Sequence, residues 1–184
     1  MIIISDIEAA ILGLICESPQ YGYQLEKIVE ERGMRNWTEI GFSSIYYVLK
    51  RLEKKNYIIG EMKAIEGKPA RKVYTITSQG IDAMQFKVKS ALSENQKSIS
   101  SIDIGIANIP IISPEESLKS LKSYIESMNE KINFLEKSVK IHNDLKSPYF
   151  VVALFDRPLN QLKCEKEWIN KFIKTIKEEQ KIRD

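Results

Sequence analysis

Residues 57–76 do most to limit what this chain can become. From Tyr57 to Ile65 the segment YIIGEMKAI is rich in apolar and β-branched residues and reads as a strand. EGKPA at 66–70 supplies a turn, and Lys72-Val73-Tyr74-Thr75-Ile76 makes the return strand. The segments before this hairpin follow a helical period instead. Ser5 and Glu8 form a capping box that opens a helix over 6–17, with Ile7, Ala10, Ile11 and Leu14 on one face and Ser18-Pro19 as its stop. A second helix over 21–32 points Leu25, Ile28 and Val29 inward and ends near Gly33. Ser43 is a good N-cap for a third helix over 44–55, which Asn56 closes. Thr77 then caps a long helix that starts near Ser78 and runs into the 90s. Three short helices followed by a two-stranded hairpin is the element order of a winged helix-turn-helix.

The rest of the chain is helical in pattern. Isoleucines at 99, 102, 106 and 109 have helical spacing while 102, 104 and 106 alternate, and we expect a short helix broken at Pro110. Ser113-Pro114-Glu115-Glu116 joins an N-cap, a proline at the first helical position and a capping-box glutamate. From there Leu118, Leu121, Ile125, Met128, Ile132, Leu135, Val139 and His142 follow alternating steps of 3 and 4, the seam of a coiled-coil-like helix. A further helix starts at Ser147-Pro148 and is expected to be interrupted at Asp156-Arg157-Pro158. Beyond the break Leu162, Ile169, Phe172, Ile173 and Ile176 carry an apolar face, flanked by Trp168. Two long helices joined by a short loop do not cover both seams well by themselves. A homodimer through Leu118, Leu121, Ile125, Met128, Ile132, Leu135, Val139, Trp168 and Phe172 is the economical expectation, with packing back on the N-terminal domain as the other option. His142, the polar member of the seam, sets helix register or senses pH. The expected fold is mainly α with a small β-hairpin: a winged helix-turn-helix over 1–90, a connecting segment over 91–112, and an antiparallel, coiled-coil-like helical dimerisation domain over 113–184.

Composition agrees with a folded chain: 43% of the 184 residues are hydrophobic and 29% charged. MIIISDIEAAILGLIC has no basic leader, Asp6 and Glu8 interrupt it, and no other run nears the ~18 apolar residues of a membrane span, so a cytoplasmic protein is expected. The formal net charge of +3 says little until it is divided. Residues 1–42 hold three basic against seven acidic side chains, net −4, whereas 43–85 hold eight against four, net +4. A local basic block of this kind is what a phosphate-facing surface needs.

On a wheel of 100° per residue, Ile45, Val48, Leu49 and Leu52 fall within about 60° of one another and form a core stripe. Ser43, Tyr47, Lys50, Arg51 and Lys54 project to the opposite side. An exposed basic face alone is compatible with plain solvation. The neighbouring hairpin tip, GKPARK, is basic too, and in a winged helix-turn-helix the helix after the turn enters the major groove while adjacent elements touch phosphates.

These residues also carry a resemblance. LGLICESPQYGYQLEKIVEE, IYYVLKRLEKKNYI and GKPARKVYTITSQG closely resemble the PadR family of transcriptional regulators over about residues 7–85. The matching positions are Gly22-Tyr23, then Tyr46, Leu49, Leu52 and Glu53, then Tyr74, Ile76, Thr77 and Gly80; Tyr47 stands where the family usually has proline, and Ile76 where leucine is common. EWINKF at 167–172 and the long helices resemble the family's larger members, whose helical C-terminal domain forms the dimer. The resemblance implies a homodimer that binds double-stranded DNA at a pseudo-palindromic operator. Ser43, Ser44, Tyr46, Tyr47, Lys50, Arg51 and Lys54 would contact it from the helix, and Lys68, Arg71 and Lys72 from the wing. It further implies a repressor, released in many members by a small aromatic or drug-like effector, although some members activate.

Other classes fare less well. One histidine, scattered carboxylates and two distant cysteines, Cys16 and Cys164, offer no nucleophile–base pair, metal set or phosphate loop, so neither catalysis nor a cofactor is expected. A protein-interaction module, with the coiled-coil half as its working end and the winged helix as scaffold, has no need to concentrate basic residues on helix and wing.

Overall fold

The computed structural model describes residues 4–41, 44–65, 68–95 and 100–183 of the chain, with the side chains of 65, 68, 69, 182 and 183 set aside. The chain divides into two compact units, Met1–Lys97 and Ser98–Asp184.

The first unit runs α1 (Asp6–Glu17), β1 (Gln20–Tyr21), α2 (Gly22–Glu31), a 3-10 turn (Met34–Asn36), α3 (Ser44–Lys54), β2 (Ile58–Ile65), β3 (Lys68–Ile76) and α4 (Ser78–Ser93). Its core gathers Ile11, Leu12 and Ile15 of α1, Leu25 and Val29 of α2, Ile45, Leu49 and Leu52 of α3, and Ile58 of β2. The inward face of α1 is wider than the expected Ile7, Ala10, Ile11 and Leu14: Ala9, Leu12 and Ile15 are buried, and Ile7 and Ala10 only partly so. The reason is position, since α1 touches α3, α4 and β3 and has little free perimeter. The capping box closes as expected, with Ser5 N–H donating to Glu8 at 2.8 Å and Glu8 N–H donating to Ser5 Oγ at 3.2 Å. Asn56 ends α3 in the left-handed region at φ 58°, a conformation asparagine tolerates better than most residues.

The sheet has three antiparallel strands in the order β1-β3-β2. The long hairpin pairs Ile58 with Ile76 and Lys63 with Arg71, and its register shifts between Lys63 and Ile65. The third strand, Gln20–Tyr21, pairs with Tyr74 and Val73; two residues are too few to leave a periodic signature in sequence.

The second unit comprises α5 (Ser101–Ala107), a 3-10 turn containing Pro110 (Ile109–Ile111), α6 (Pro114–Asp144) and α7 (Tyr149–Arg183). The helix before Pro110 is where the sequence puts it. The expected interruption at 156–158 does not occur: α7 continues through Pro158, and Leu159 just after it is buried. A proline removes one helical N–H but does not end a helix whose apolar face is held by a neighbour. Here α6 and α7 lie antiparallel, with Tyr124 Oη donating to Glu165 at 2.7 Å and Lys163 paired with Glu136 at 2.7 Å. That hydrogen bond pushes the Tyr124 hydroxyl up to about 12. Leu121, Ile169 and Ile173 form the core of this hairpin, with Leu118, Ile125, Phe172 and Ile176 at its margin.

Candidate nucleic-acid interface

The face of α3 opposite its core stripe is open. Ile45, Val48, Leu49 and Leu52 are buried, whereas Tyr46 and Tyr47 are 61% and 63% exposed and Lys50 and Lys54 face solvent. Neither lysine has an ionic partner among the described residues. Tyr46 lies over the start of α2, where a Cβ on Gly22 would sit 2.7 Å from its ring. Only glycine at that position lets the tyrosine lie so close to the backbone. Ser44 stands at the first position of α3 and donates from Oγ to the Gly41 carbonyl at 2.7 Å. Ser43 lies outside the described residues, and Lys68 opens β3 and is described by its backbone alone.

The other basic side chains are held inside the unit. Glu8, 1% exposed, accepts two hydrogen bonds from Lys55 Nζ at 2.8 and 3.0 Å and lies 3.2 Å from Arg51 Nε. Burial raises the Glu8 carboxyl, but Lys55, the Ser5 N–H and the charge of Arg51 outweigh it and leave the group below its ordinary value. The Arg51 guanidinium also sits 5.8 Å from the centre of the Tyr47 ring, one helical turn back. Successive strand residues face opposite sides, so Arg71 and Lys72 find different partners. Arg71 stacks over the Tyr23 ring at 4.8 Å. Lys72 pairs with Glu53 of α3 at 2.8 Å and lies 5.4 Å from the Tyr74 ring; the hydrogen bond to Glu53 holds its ammonium above the ordinary range. Gly60, across β2, makes room for this pair: a Cβ there would run into Lys72 Cε and lie 2.7 Å from Glu53 Oε1.

Sequence reasoning saw Glu8 only as a cap and did not assign Tyr23, Glu53 or Gly60. A capping-box glutamate one helix away from paired cations at 51 and 55 is a weak signal, legible only once α1 is known to pack on α3.

In the second unit, Leu121, Met128 and Ile132 are buried against the rest of their own hairpin, so part of the expected dimer seam is satisfied within one chain. Leu118, Ile125, Leu135, Val139 and Phe172 are half-buried, and Trp168 is 48% exposed with its ring stacked on Phe172 at 5.1 Å. His142 stacks on Phe155 at 4.8 Å, and its Nδ1 lies 3.0 Å from Ser147 Oγ. Among the described residues no three metal-ligating side chains gather, and no helix is long and apolar enough to cross a membrane. Cys16 and Cys164 are free thiols.

Comparison with known proteins decides what this surface belongs to. Residues 11–85 match the model of the transcriptional regulator PadR-like family. An uncharacterised protein of Lysinibacillus sphaericus is 35% identical over 79 residues, which cover 43% of this chain and 72% of that one. The chain belongs to the PadR-like family. As a PadR-like protein it is a DNA-binding transcriptional regulator and not an enzyme. Solved structures extend the likeness in fold to the whole chain. Bacillus subtilis PadR in complex with operator DNA superposes with a TM-score of 0.74 at 19% identity, over 94% of this chain and 99% of that one. The same protein with p-coumaric acid gives 0.73 at 21%, over 93% and 98%. The Vibrio cholerae virulence activator AphA gives 0.73 at 12%, over 94% and 98%.

Proposed function

We propose that this PadR-like regulator acts in the cytoplasm as a homodimeric repressor of a pseudo-palindromic operator. Residues 1–90 bind DNA, 91–112 connect, and 113–184 form the dimer. The observation that carries the reading is the open face of α3, where Tyr47, Lys50 and Lys54 stand clear of the core with no acidic group across from them. Unpartnered lysines on an exposed helix face are available to phosphate, and a tyrosine between them is available to a base edge or sugar. Ser43, Ser44, Tyr46 and the wing residues Lys68, Arg71 and Lys72 complete the contact set. Two copies place two α3 helices on half-sites about one helical turn apart, ~34–36 Å. Dimerisation uses the half-buried margin of the helical hairpin together with Trp168 and Phe172, since the centre of the seam is already covered. The operator-bound and p-coumaric-acid-bound structures of Bacillus subtilis PadR support DNA and a small aromatic or drug-like effector as ligands of the same fold.

The test begins with duplexes selected from a random pool by the full chain. Affinity for the selected duplex should fall steeply between low and high salt, with two chains per duplex by ultracentrifugation. Affinity that ignores salt sinks the reading. Transcription in vitro from a template carrying the selected site should drop on adding the protein; a rise identifies an activator instead.

A further inference from the structure

Arg51 differs from its neighbours Lys50 and Lys54. Its side chain is 45% exposed, yet its Nε lies 3.2 Å from the carboxylate of Glu8, which is buried, and its guanidinium lies 5.8 Å from the Tyr47 ring centre. It therefore joins a buried anion on α1 to the most open aromatic side chain of α3. We propose that Arg51 is a positioning residue for DNA recognition: anchored by Glu8, it holds the Tyr47 ring in place for the operator and does not itself neutralise a phosphate. The proposal rests on the DNA-binding reading of α3 given above.

Three physical points support it. Glu8 already receives Lys55, so the anchor is a fixed three-residue cluster, not a lone contact, and its hydrogen bond to Ser5 N–H fixes the carboxylate against α1. A guanidinium is planar and binds a carboxylate edge and an aromatic face together, which an ammonium does less well. Leaving Glu8 for a phosphate would strand a nearly unexposed carboxylate with one fewer cation, a cost that Lys50 and Lys54 do not face. Tyr47 without Arg51 keeps its hydroxyl but gains rotamer freedom, and ordering it again on DNA weakens binding.

The consequence is a division of labour that salt separates. A phosphate contact contributes about −0.9 to the slope of log K against log salt, whereas a residue that orients a base contact contributes to the preference for one sequence over another. The experiment compares wild type and Arg51→Ala on the selected duplex and on a scrambled duplex of equal length, across a salt series. The expected result is an unchanged slope with a roughly tenfold smaller ratio of selected to scrambled affinity, the scale of one lost base contact. A slope smaller in magnitude by about 0.9 makes Arg51 a phosphate contact and overturns the proposal. An unchanged slope with an unchanged ratio overturns it as well. Glu8→Gln, which keeps the side chain's shape, should reproduce the smaller ratio at temperatures where it is folded, and Tyr47→Ala in the Arg51→Ala background should lower it no further. If the wild-type chain itself shows no salt-dependent preference for any duplex, the DNA-binding reading of α3 fails, an outcome distinct from the failure of Arg51 alone.

Discussion

Lys72 on β3 and Glu53 on α3 form an ion pair at 2.8 Å, and Gly60 on β2 leaves the space in which they meet. Both partners are partly exposed, so the charge interaction itself is worth little, on the order of 0.5 kcal/mol. The space is worth more. Gly60→Ala places a methyl group against Lys72 Cε and Glu53 Oε1 and should cost about 1–3 kcal/mol, while Lys72→Met costs under about 1. Thermal or urea unfolding of the two variants checks the order; a Lys72→Met loss larger than the Gly60→Ala loss contradicts it.

Glu8 should make stability depend on pH. Its folded-state carboxyl lies below the ordinary value of 4.5, so its contribution is present above that value and is lost as pH falls through the lowered one. Glu8→Gln should therefore be less stable than wild type near pH 7, by about 3 kcal/mol, because it leaves Lys55 and Arg51 without their anion. The two proteins should converge as pH drops below about 4. Urea midpoints measured for both from pH 3 to pH 7 decide this.

Lys50→Ala and Lys54→Ala should each reduce the magnitude of the salt slope of DNA binding by about 0.9 and leave the melting temperature unchanged. Both side chains are exposed and outside the core stripe. A fall in melting temperature would show that one of them packs on the fold.

Pro158→Ala should stabilise the helical hairpin. α7 is continuous across Pro158, so the variant restores a helical N–H without altering the path of the chain. The gain should approach 1–3 kcal/mol, of the order of the interior proline penalty. It would be read as a higher melting temperature followed at 222 nm. Unchanged or lower stability would mean that the proline's ring packs productively where it stands.

Leu121→Asp and Met128→Asp should melt the hairpin. Both side chains are buried against their own chain, and an unpaired charge there costs several kcal/mol. Helical signal should fall in both. Trp168→Ala, at an exposed position, should keep the helical signal while shifting the sedimenting species toward monomer. A folded Leu121→Asp chain would argue that α6 and α7 do not cover this seam.

Much of the fold was legible because it is written in short-range chemistry. The Ser5/Glu8 and Ser113/Glu116 capping boxes, Asn56 at the end of α3, Thr77 donating its hydroxyl to the start of α4 and the return strand at 72–76 all involve residues within a few positions of one another. The core stripe of α3 followed from its period alone. What escaped depends on distance. The Gln20–Tyr21 strand exists because β3 passes beside it, and Pro158 is tolerated because α6 holds α7 on its far side. Counting cations could not separate Lys50 and Lys54 from Arg51 and Lys72, since the difference lies in partners 43 and 19 positions away in sequence, Glu8 and Glu53.

The separation of α3 into a buried stripe and an open face has a consequence for how such a protein changes over generations. Ile45, Val48, Leu49 and Leu52 hold the helix in the unit, whereas Tyr47, Lys50 and Lys54 hold none of it. Substitutions at those three positions are filtered by target choice and not by folding. A duplicated copy can therefore drift toward a new set of promoters through the outer face, carrying its stability with it unaltered.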